Sequence, residues 1–199
     1  MLTKVSVVYH SKDGHTKIMA EGVLEGASSI PGVEASLHAI VPDDFEAGVW
    51  TNAQMLAELD EADAIIFGCP TWMGCISSPL KAFFDATLDR WYPRVWKDKV
   101  GAGFTVSATP SGDKLNTLSD LLYFGLQHGM VWVGMERTPM NDEGINRLSV
   151  FLGAVGQGVF GSTEITLHDG DRKSGAELGA RVARIASELG AGRSASAHS

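Results

Sequence analysis

Three short segments carry most of the side chains in this sequence that could do chemistry. They are residues 11–16 (SKDGHT), 69–78 (CPTWMGCISS) and 107–113 (SATPSGD). Each combines hydroxyl groups or glycines with backbone N–H groups, and the second adds the indole of Trp72. Hydroxyl and N–H donors at the start of a helix bind phosphate oxygens, whereas a tryptophan can stack on a planar ligand. The residue types therefore indicate a site for a phosphorylated ligand that carries a flat ring.

The same segments also have simpler interpretations. Residues 11–16 can be an ordinary strand-to-helix turn with hydroxyl caps, and they do not form a Walker loop, because the G-x-x-x-x-G-K-[ST] pattern is missing. Trp72 can pack on its own sheet edge or on a second subunit. Cys69 and Cys75 are the chain's two cysteines, which are too few to hold an iron–sulfur cluster, and no Cys/His group has zinc spacing. We therefore predict no metal site.

One further glycine motif, residues 156–161 (GQGVFG), matches G-x-G-x-x-G. A dinucleotide fingerprint must follow a strand and open a helix within a βαβ unit, and this motif does neither. Residues 139–161 as a whole are rich in glycine and have no regular pattern. We expect the motif to be a flexible loop that lies over the pocket.

Short apolar runs alternate with helical patterns along the chain, and these elements must position the three segments. The predicted strands are 5–9, 33–40, 62–68, 100–107 and one that begins at 131, with a further short strand at 164–167. The predicted helices are 16–29, 53–59, 79–91, 114–127 and 175–189, and residues 42–52 read as a loop. This alternation predicts an α/β fold with a doubly wound parallel sheet of five strands. Because right-handed crossovers bring the loops after the strands to one edge, the three segments should converge there.

Composition narrows the class of protein. The chain has 199 residues, of which 44% are apolar, and this suits one domain over residues 1–190 with a disordered tail at 191–199. Sixteen Lys and Arg against 24 Asp and Glu give a charge of −8, which argues against nucleic acid or an anionic membrane as partner. Neither a secretion signal nor an apolar stretch of spanning length is present. The sequence predicts a cytoplasmic protein.

The three segments, together with a fourth motif, resemble the flavodoxin superfamily and, within it, the WrbA-type NAD(P)H:quinone oxidoreductases. SKDGHT is similar to the S-x-x-G-H-[IT] pattern of that family, and GCPTWMGC with KAFFDAT is similar to G-x-P-T-x-x-G-N followed by F-L-D. FTVSATPSG and QHGMVWVG are similar to the F-T-S-[ST]-G-T strand and the H-H-G-M-V helix end. The resemblance covers most of the chain, up to about Thr163. It implies a flavodoxin-like sheet with strand order 2-1-3-4-5.

The resemblance also implies FMN as cofactor, with the first segment at its phosphate and the other two at its ring and ribityl chain. The residues that it assigns to the cofactor are Ser11, Lys12, Asp13, Gly14, His15, Thr16, Pro70, Thr71, Trp72, Met73, Gly74, Val106, Ser107, Ala108, Thr109, Pro110, Ser111, Gly112 and Gln127. Trp91, Asp13 and His128 are assigned to the substrate pocket, with Trp91 reaching it across a subunit contact. The chain departs from the family pattern at Asp13 (a tyrosine), Trp72-Met73 (Arg followed by Phe or Tyr), Cys75 (Asn), Pro110-Ser111 (glycine-rich) and Gln127 (His).

These features together predict an FMN-dependent NAD(P)H oxidoreductase that reduces quinones or similar acceptors by two electrons. Hydride passes through flavin N5, so no side chain need act as acid or base in the half-reaction with the nicotinamide. The partners expected are NAD(P)H, quinone-like molecules and further copies of the chain, as a dimer or tetramer, since Trp72, Trp91, Tyr92 and Trp96 suit an interface. Two alternatives stay open: a one-electron carrier of the flavodoxin type, and an FMN-binding protein without activity.

Overall fold

A computed structural model of the chain describes residues 2–159 and 165–196 and has an α/β architecture. The strands are β1 (Thr3–Tyr9), β2 (Val33–Ala39), β3 (Phe45–Glu46), β4 (Val49–Trp50), β5 (Ala64–Pro70), β6 (Val100–Ser107), β7 (Val131–Trp132) and β8 (Ala154–Gln157). The helices are α1 (His15–Ser28), α2 (Ala53–Asp60), α3 (Ser78–Asp85), α4 (Leu88–Trp91), α5 (Lys114–Gln127) and α6 (Asp169–Ser196). Across these described ranges, no helix is both long and apolar enough to cross a membrane.

The main sheet is parallel and confirms the predicted order, with β2-β1-β5-β6 followed by a fifth position. Two pieces share that fifth position. β7 pairs with the start of β6 at Val100 and Gly101, whereas β8 pairs with its end, from Phe104 to Ser107. Residues 133–153 leave the sheet between the two pieces. The fifth strand is therefore interrupted rather than continuous.

β8 corrects the prediction of a flexible loop at 156–161. Ala154 and Val155 are 1% and 3% exposed, because they face the core on either side of the sheet. The glycine content of the motif hid a short buried strand. Gly158 and Val159 follow it beside the predicted pocket, while residues 160–164 lie outside the described part of the chain. Of the strand predicted at 164–167, residue 164 also lies outside the described part. Residues 165–167 form no strand but an isolated bridge between Leu167 and Gly158, so the prediction is wrong there.

The helices cover the sheet on both faces. α1 and α6 pack together on one face over Val5, Val7 and Ile66, and α2, α3 and α5 pack on the other. The second face holds most of the aromatic side chains of the core, among them Phe67, Phe83 and Phe84. Trp96, predicted as an interface residue, is fully buried there, and its indole donates to Asp60 Oδ1 at 2.7 Å.

The structure also differs from the predicted elements at residues 42–52, 79–91 and 191–196. Residues 42–52 contain the small β3–β4 hairpin, in which Phe45 pairs with Trp50. The helix predicted over 79–91 breaks into α3 and α4, because the Thr87 hydroxyl turns back to donate to the carbonyl of Phe84 at 2.7 Å. Residues 191–196, predicted as a disordered tail, continue α6, where Arg193 donates to the Asp98 carbonyl at 2.7 Å.

Candidate functional site

The three segments selected from the sequence meet at the carboxyl ends of β1, β5 and β6. They enclose a cleft of about 280 Å³. The residues lining it are Ser11, Lys12, Asp13, His15, Thr16, Pro70, Thr71, Trp72, Val106, Ser107, Ala108, Gly158 and Val159. The predicted convergence of the three segments at one edge of the sheet is thus confirmed.

Residues 11–16 form a turn that is already shaped to receive an anion. The Ser11 hydroxyl accepts from the N–H groups of Gly14 and Lys17, both at 3.2 Å, and so fixes the turn. Gly14 has a φ of 90°, a conformation that glycine adopts without strain. In the described hydrogen bonds, the N–H groups of residues 12, 13, 15 and 16 have no acceptor, so they are available to a ligand. They lie at the positive end of α1, which favours a phosphate.

Residues 70–75 form the second wall of the cleft. The N–H of Thr71 donates to the Val106 carbonyl at 2.9 Å. The hydroxyl of Thr105 donates to the Cys69 carbonyl at 2.7 Å, so the Thr71 hydroxyl, 2.9 Å away, is the donor in their mutual contact. These bonds join the end of β5 to β6 and hold the following turn in place.

That turn presents the indole at the mouth of the cleft. Trp72 and Cys75 exchange two backbone hydrogen bonds at 3.0 Å around Met73 and Gly74, which have φ values of 48° and 80°. The Trp72 side chain is 45% exposed, with the Lys12 ammonium over its ring. Met73 is fully exposed and does not line the cleft.

Residues 106–108 form the third wall, and a buried cation holds the loop that follows them. Lys114 is 2% exposed, and its ammonium donates to the carbonyl of Thr109 at 2.6 Å and to that of Pro110 at 3.0 Å. Burial lowers the pKa of Lys114 to about 8, with Asp171 opposing that shift. Sequence reasoning missed this residue, since a single lysine at a helix start gives no signal of burial.

A second polar group, the Asp171 carboxylate of α6, supports the same wall through Gln157 of β8. Asp171, 1% exposed, accepts from Arg147 Nε and Nη2, both at 2.8 Å, and from the N–H of Gln157 at 2.8 Å. The Gln157 amide then reaches the Ala108 carbonyl at 3.4 Å. Sequence reasoning missed this network as well, because Arg147, Gln157 and Asp171 are separated in the chain and meet only in the fold.

Three residues predicted for the cofactor or substrate site, Gln127, His128 and Trp91, lie away from the cleft. Gln127 and His128 end α5, whose 14 residues span about 20 Å from the cleft side of the sheet to the opposite edge. The indole of Trp91 donates to the Gln127 carbonyl at 2.9 Å at that edge. Within one chain, none of the three contacts the cleft.

His128 corrects the prediction most directly. It is 2% exposed, and its Nε2 lies 3.0 Å from the Thr87 hydroxyl. Its ring packs between Trp96 and Phe124, at centroid distances of 4.6 and 4.8 Å. A side chain so enclosed cannot contact a substrate in this chain, and His128 instead forms part of the packed core.

The remaining predicted residues flank the cleft without lining it. They share the turns that carry the lining residues, and they are Gly14, Met73, Gly74, Thr109, Pro110, Ser111 and Gly112. No group of three or more His, Cys, Asp or Glu side chains in the described ranges is arranged to hold a metal ion. A doubly wound sheet with an anion-binding first turn and two flanking loops defines a nucleotide-binding protein of the flavodoxin type.

Comparison with known proteins identifies the group more narrowly. The model of the NADPH-dependent FMN reductase family matches residues 3–136. The chain is 36% identical to Flavodoxin FldP of Pseudomonas aeruginosa, covering 94% of this chain and 99% of that protein. It is 35% identical to an NAD(P)H dehydrogenase (quinone) of Aromatoleum aromaticum, covering 96% and 100%.

A solved structure gives the same result. The WrbA-like flavodoxin of Agrobacterium tumefaciens superposes with a TM-score of 0.72 at 39% identity, covering 94% of this chain and 98% of that one. The chain therefore belongs to the NADPH-dependent FMN reductase family, within the flavodoxin superfamily. The predicted family and fold class are confirmed.

Proposed function

We propose that this protein binds FMN and uses it to pass two electrons from NAD(P)H to quinones or similar acceptors. The observation that carries the proposal is the cleft itself, in which unpaired N–H groups at the start of α1 face the loops after β5 and β6. The family match and the quinone dehydrogenase relatives support the same activity.

The donors present fit FMN. The free N–H groups of residues 12, 13, 15 and 16 and the Thr16 hydroxyl would hold its phosphate, because they combine hydrogen bonds with the positive end of a helix. Trp72 and the loop at 106–108 would border its ring. Within the described ranges one phosphate-sized turn is present, and the G-x-G-x-x-G segment begins inside β8, so the mononucleotide fits better than FAD.

FMN supplies the redox chemistry when bound, by accepting a hydride and releasing electrons to an acceptor. The chain binds and orients it: the turn at 11–16 anchors one end, and the hydrogen bonds between Thr71, Thr105 and Val106 fix the wall beside the ring. Backbone N–H groups of the 107–113 loop would stabilise negative charge gained on reduction. No side chain needs to donate or remove a proton for hydride delivery.

The substrate pocket requires more than one copy of the chain in this proposal. A groove between α3 and α5, lined by Ile76, Phe84, Tyr123, Phe124 and Gln127 among others, exposes apolar surface suited to a second copy. Trp91 and Gln127 would then meet another subunit's cleft, while Asp13 stays at its own. We propose a cytoplasmic homo-oligomer, a dimer or tetramer, with nicotinamide and quinone using one slot in turn.

A one-electron carrier is the second candidate, and similarity to Flavodoxin FldP favours it. Partial reduction of the protein distinguishes the two functions, because a carrier accumulates one-electron reduced flavin. A two-electron enzyme instead oxidises NADH or NADPH continuously when benzoquinone is added.

The test begins with the cofactor released from purified protein. Mass analysis should find FMN, and steady-state oxidation of both nicotinamides with benzoquinone should show turnover. Recovery of FAD, or no flavin after reconstitution with FMN, would contradict cofactor binding. Bound FMN without nicotinamide turnover would contradict the oxidoreductase and favour the one-electron carrier.

A further inference from the structure

Lys114 is a buried cation that binds the loop directly after the third wall of the cleft. Its ammonium contacts three successive carbonyls, those of Thr109 at 2.6 Å, Pro110 at 3.0 Å and Ser111 at 3.5 Å. Only 2% of the residue is exposed. Burial of an ammonium group costs desolvation free energy, which its hydrogen bonds to the three carbonyls must offset.

The contacts fix the direction of the peptides in this loop. A trans peptide holds its N–H opposite its carbonyl, and no cis bond is present in the described residues. With the carbonyls of Pro110 and Ser111 bound to the ammonium, the N–H groups of Ser111 and Gly112 point away from it. Neither N–H donates in any described hydrogen bond. The lysine therefore presents two free donors on the far side of the loop.

The charge of Lys114 is not cancelled by a direct ion pair. Of the charged groups around it, Asp171 of α6 is bound on both oxygens by Arg147 and by the Gln157 N–H. Asp113 shares a cavity wall with Lys114, yet no ion pair among the described residues includes this lysine. A net positive charge thus remains beneath a loop that borders the cleft.

We propose that Lys114 is a positioning residue for the bound flavin: it orients the loop at 109–112 and supplies a fixed positive charge that favours the reduced state. The inference rests on the proposed FMN function. A positive charge near the cofactor stabilises the state with more negative charge, so the reduced form should depend on Lys114 more than the oxidised form does.

The test compares Lys114→Met, which keeps the apolar stem and removes the charge, with Lys114→Gln, which keeps a donor for the carbonyls but is neutral. Lys97→Met is the control, because it removes one positive charge from an exposed side chain outside the cleft. FMN affinity is measured by flavin fluorescence titration, and the midpoint potential by equilibration with reference dyes. Thermal melting checks that each variant folds.

Lys114→Met should lower the affinity for oxidised FMN about 10-fold and the affinity for reduced FMN about 100-fold. The tenfold difference corresponds to a midpoint potential lower by about 30 mV for a two-electron couple. Lys114→Gln should recover much of the affinity of the oxidised form while the potential stays low. Lys97→Met should match the wild type in both measurements.

Equal affinity and potential in the wild type and both Lys114 variants would overturn the inference. Loss of affinity with an unchanged potential would overturn the electrostatic part. Amide hydrogen exchange of the ligand-free protein is independent of FMN: Lys114→Met should speed exchange at 109–112, and unchanged exchange there would overturn the orienting part. If the wild type binds no FMN, the proposed function fails instead, and exchange still decides the loop's dependence on Lys114.

Discussion

The ammonium of Lys12 lies 4.7 Å from the centroid of the Trp72 ring, so the first and second loops touch across the mouth of the cleft. Trp72 remains 45% exposed in this contact, which leaves part of its ring available to a ligand. The pair orders both loops before any ligand arrives, and this lowers the entropic cost of binding.

Trp72→Ala should therefore weaken FMN binding by about 1–2 kcal/mol, through the lost aromatic surface and the lost contact with Lys12. Trp72→Phe should lose less, because a smaller ring remains. Phe151→Ala is a matched control, since Phe151 is 48% exposed and does not line the cleft. Titration of the flavin-free proteins with FMN measures the effect, and equal dissociation constants for all four proteins would exclude Trp72 from the site.

Thr16 tests the other end of the cofactor. The residue is 2% exposed in the first turn of α1, beside the unpaired N–H groups. Thr16→Ala should weaken FMN by about 1–3 kcal/mol, because its hydroxyl would meet a charged phosphate. Thr16→Ser should bind nearly as well as the wild type. Calorimetry with riboflavin, which lacks the phosphate, should show little difference among the three proteins, and an equal penalty for both flavins would contradict a phosphate contact.

His128 has one protonation state that suits its surroundings. The Thr87 hydroxyl already donates to the Phe84 carbonyl, so it accepts from His128, whose Nε2 carries the proton. Nδ1 is buried without a partner. A second proton there would face Arg94 in an apolar setting. Burial, with Arg94, lowers the pKa of His128 to about 4.

The sign of the resulting pH dependence follows from that shift. The folded pKa lies below the value of about 6.5 in the unfolded chain, so neutral His128 stabilises the fold above pH 6.5. This contribution, up to about 3 kcal/mol, is lost as the pH falls from 6.5 towards 4. His128→Gln keeps a donor for Thr87 and does not titrate. Urea unfolding at pH 7 and pH 4.5 should show a smaller loss for His128→Gln, whereas parallel losses would contradict the buried neutral state.

The packing of α1 on α6 depends on glycine at position 26. A Cβ there would lie 1.8 Å from the carbonyl oxygen of Ala176 in the neighbouring backbone, which cannot move like a side chain. Gly26→Ala should lower the free energy of unfolding by about 3 kcal/mol. Gly192→Ala is the control, because nothing lies within 4 Å of that position in the same α6 helix. It should be neutral or stabilise by up to about 1 kcal/mol. Equal stability of both variants would contradict the close helix contact.

The parts of the fold that sequence reasoning placed correctly follow local rules. β1, β5 and β6 are covered on both faces and so appear as continuous apolar runs. Once alternating strands and helices are recognised, the handedness of crossovers brings the three loops together. Fold class and the location of the cleft needed no further information.

The parts that it missed depend on contacts between distant positions. Lys114 and Asp171 are ordinary surface residue types, and only the tertiary fold buries them. Trp96 is buried in the core, so its predicted place at an interface was wrong. The short strand at 154–157 was not predicted, because its glycine content is typical of a loop. Side-chain burial of this kind has no period or spacing that a single sequence displays.

Trp91 provides the last prediction, which separates substrate handling from assembly. Its indole donates to the Gln127 carbonyl at 2.9 Å, and Arg94 donates to the same oxygen at 2.7 Å. Tyr92 packs edge-on against the Trp91 ring at 5.0 Å. Trp91 is therefore held in place at the edge opposite the cleft, where it can act on a substrate only in another subunit.

If the proposed assembly is correct, Trp91→Ala should raise the KM for quinone about 5- to 150-fold, which corresponds to about 1–3 kcal/mol, with FMN content unchanged. Trp91→Phe keeps an aromatic wall without the indole donor and should recover much of this loss. Light scattering at the assay concentration must show the same oligomer for all three proteins. A variant that loses its partners and its flavin together would make Trp91 a packing residue. An intact, flavin-replete Trp91→Ala oligomer with wild-type quinone kinetics would exclude Trp91 from the substrate pocket, because the lost ring would then have had no contact with the acceptor.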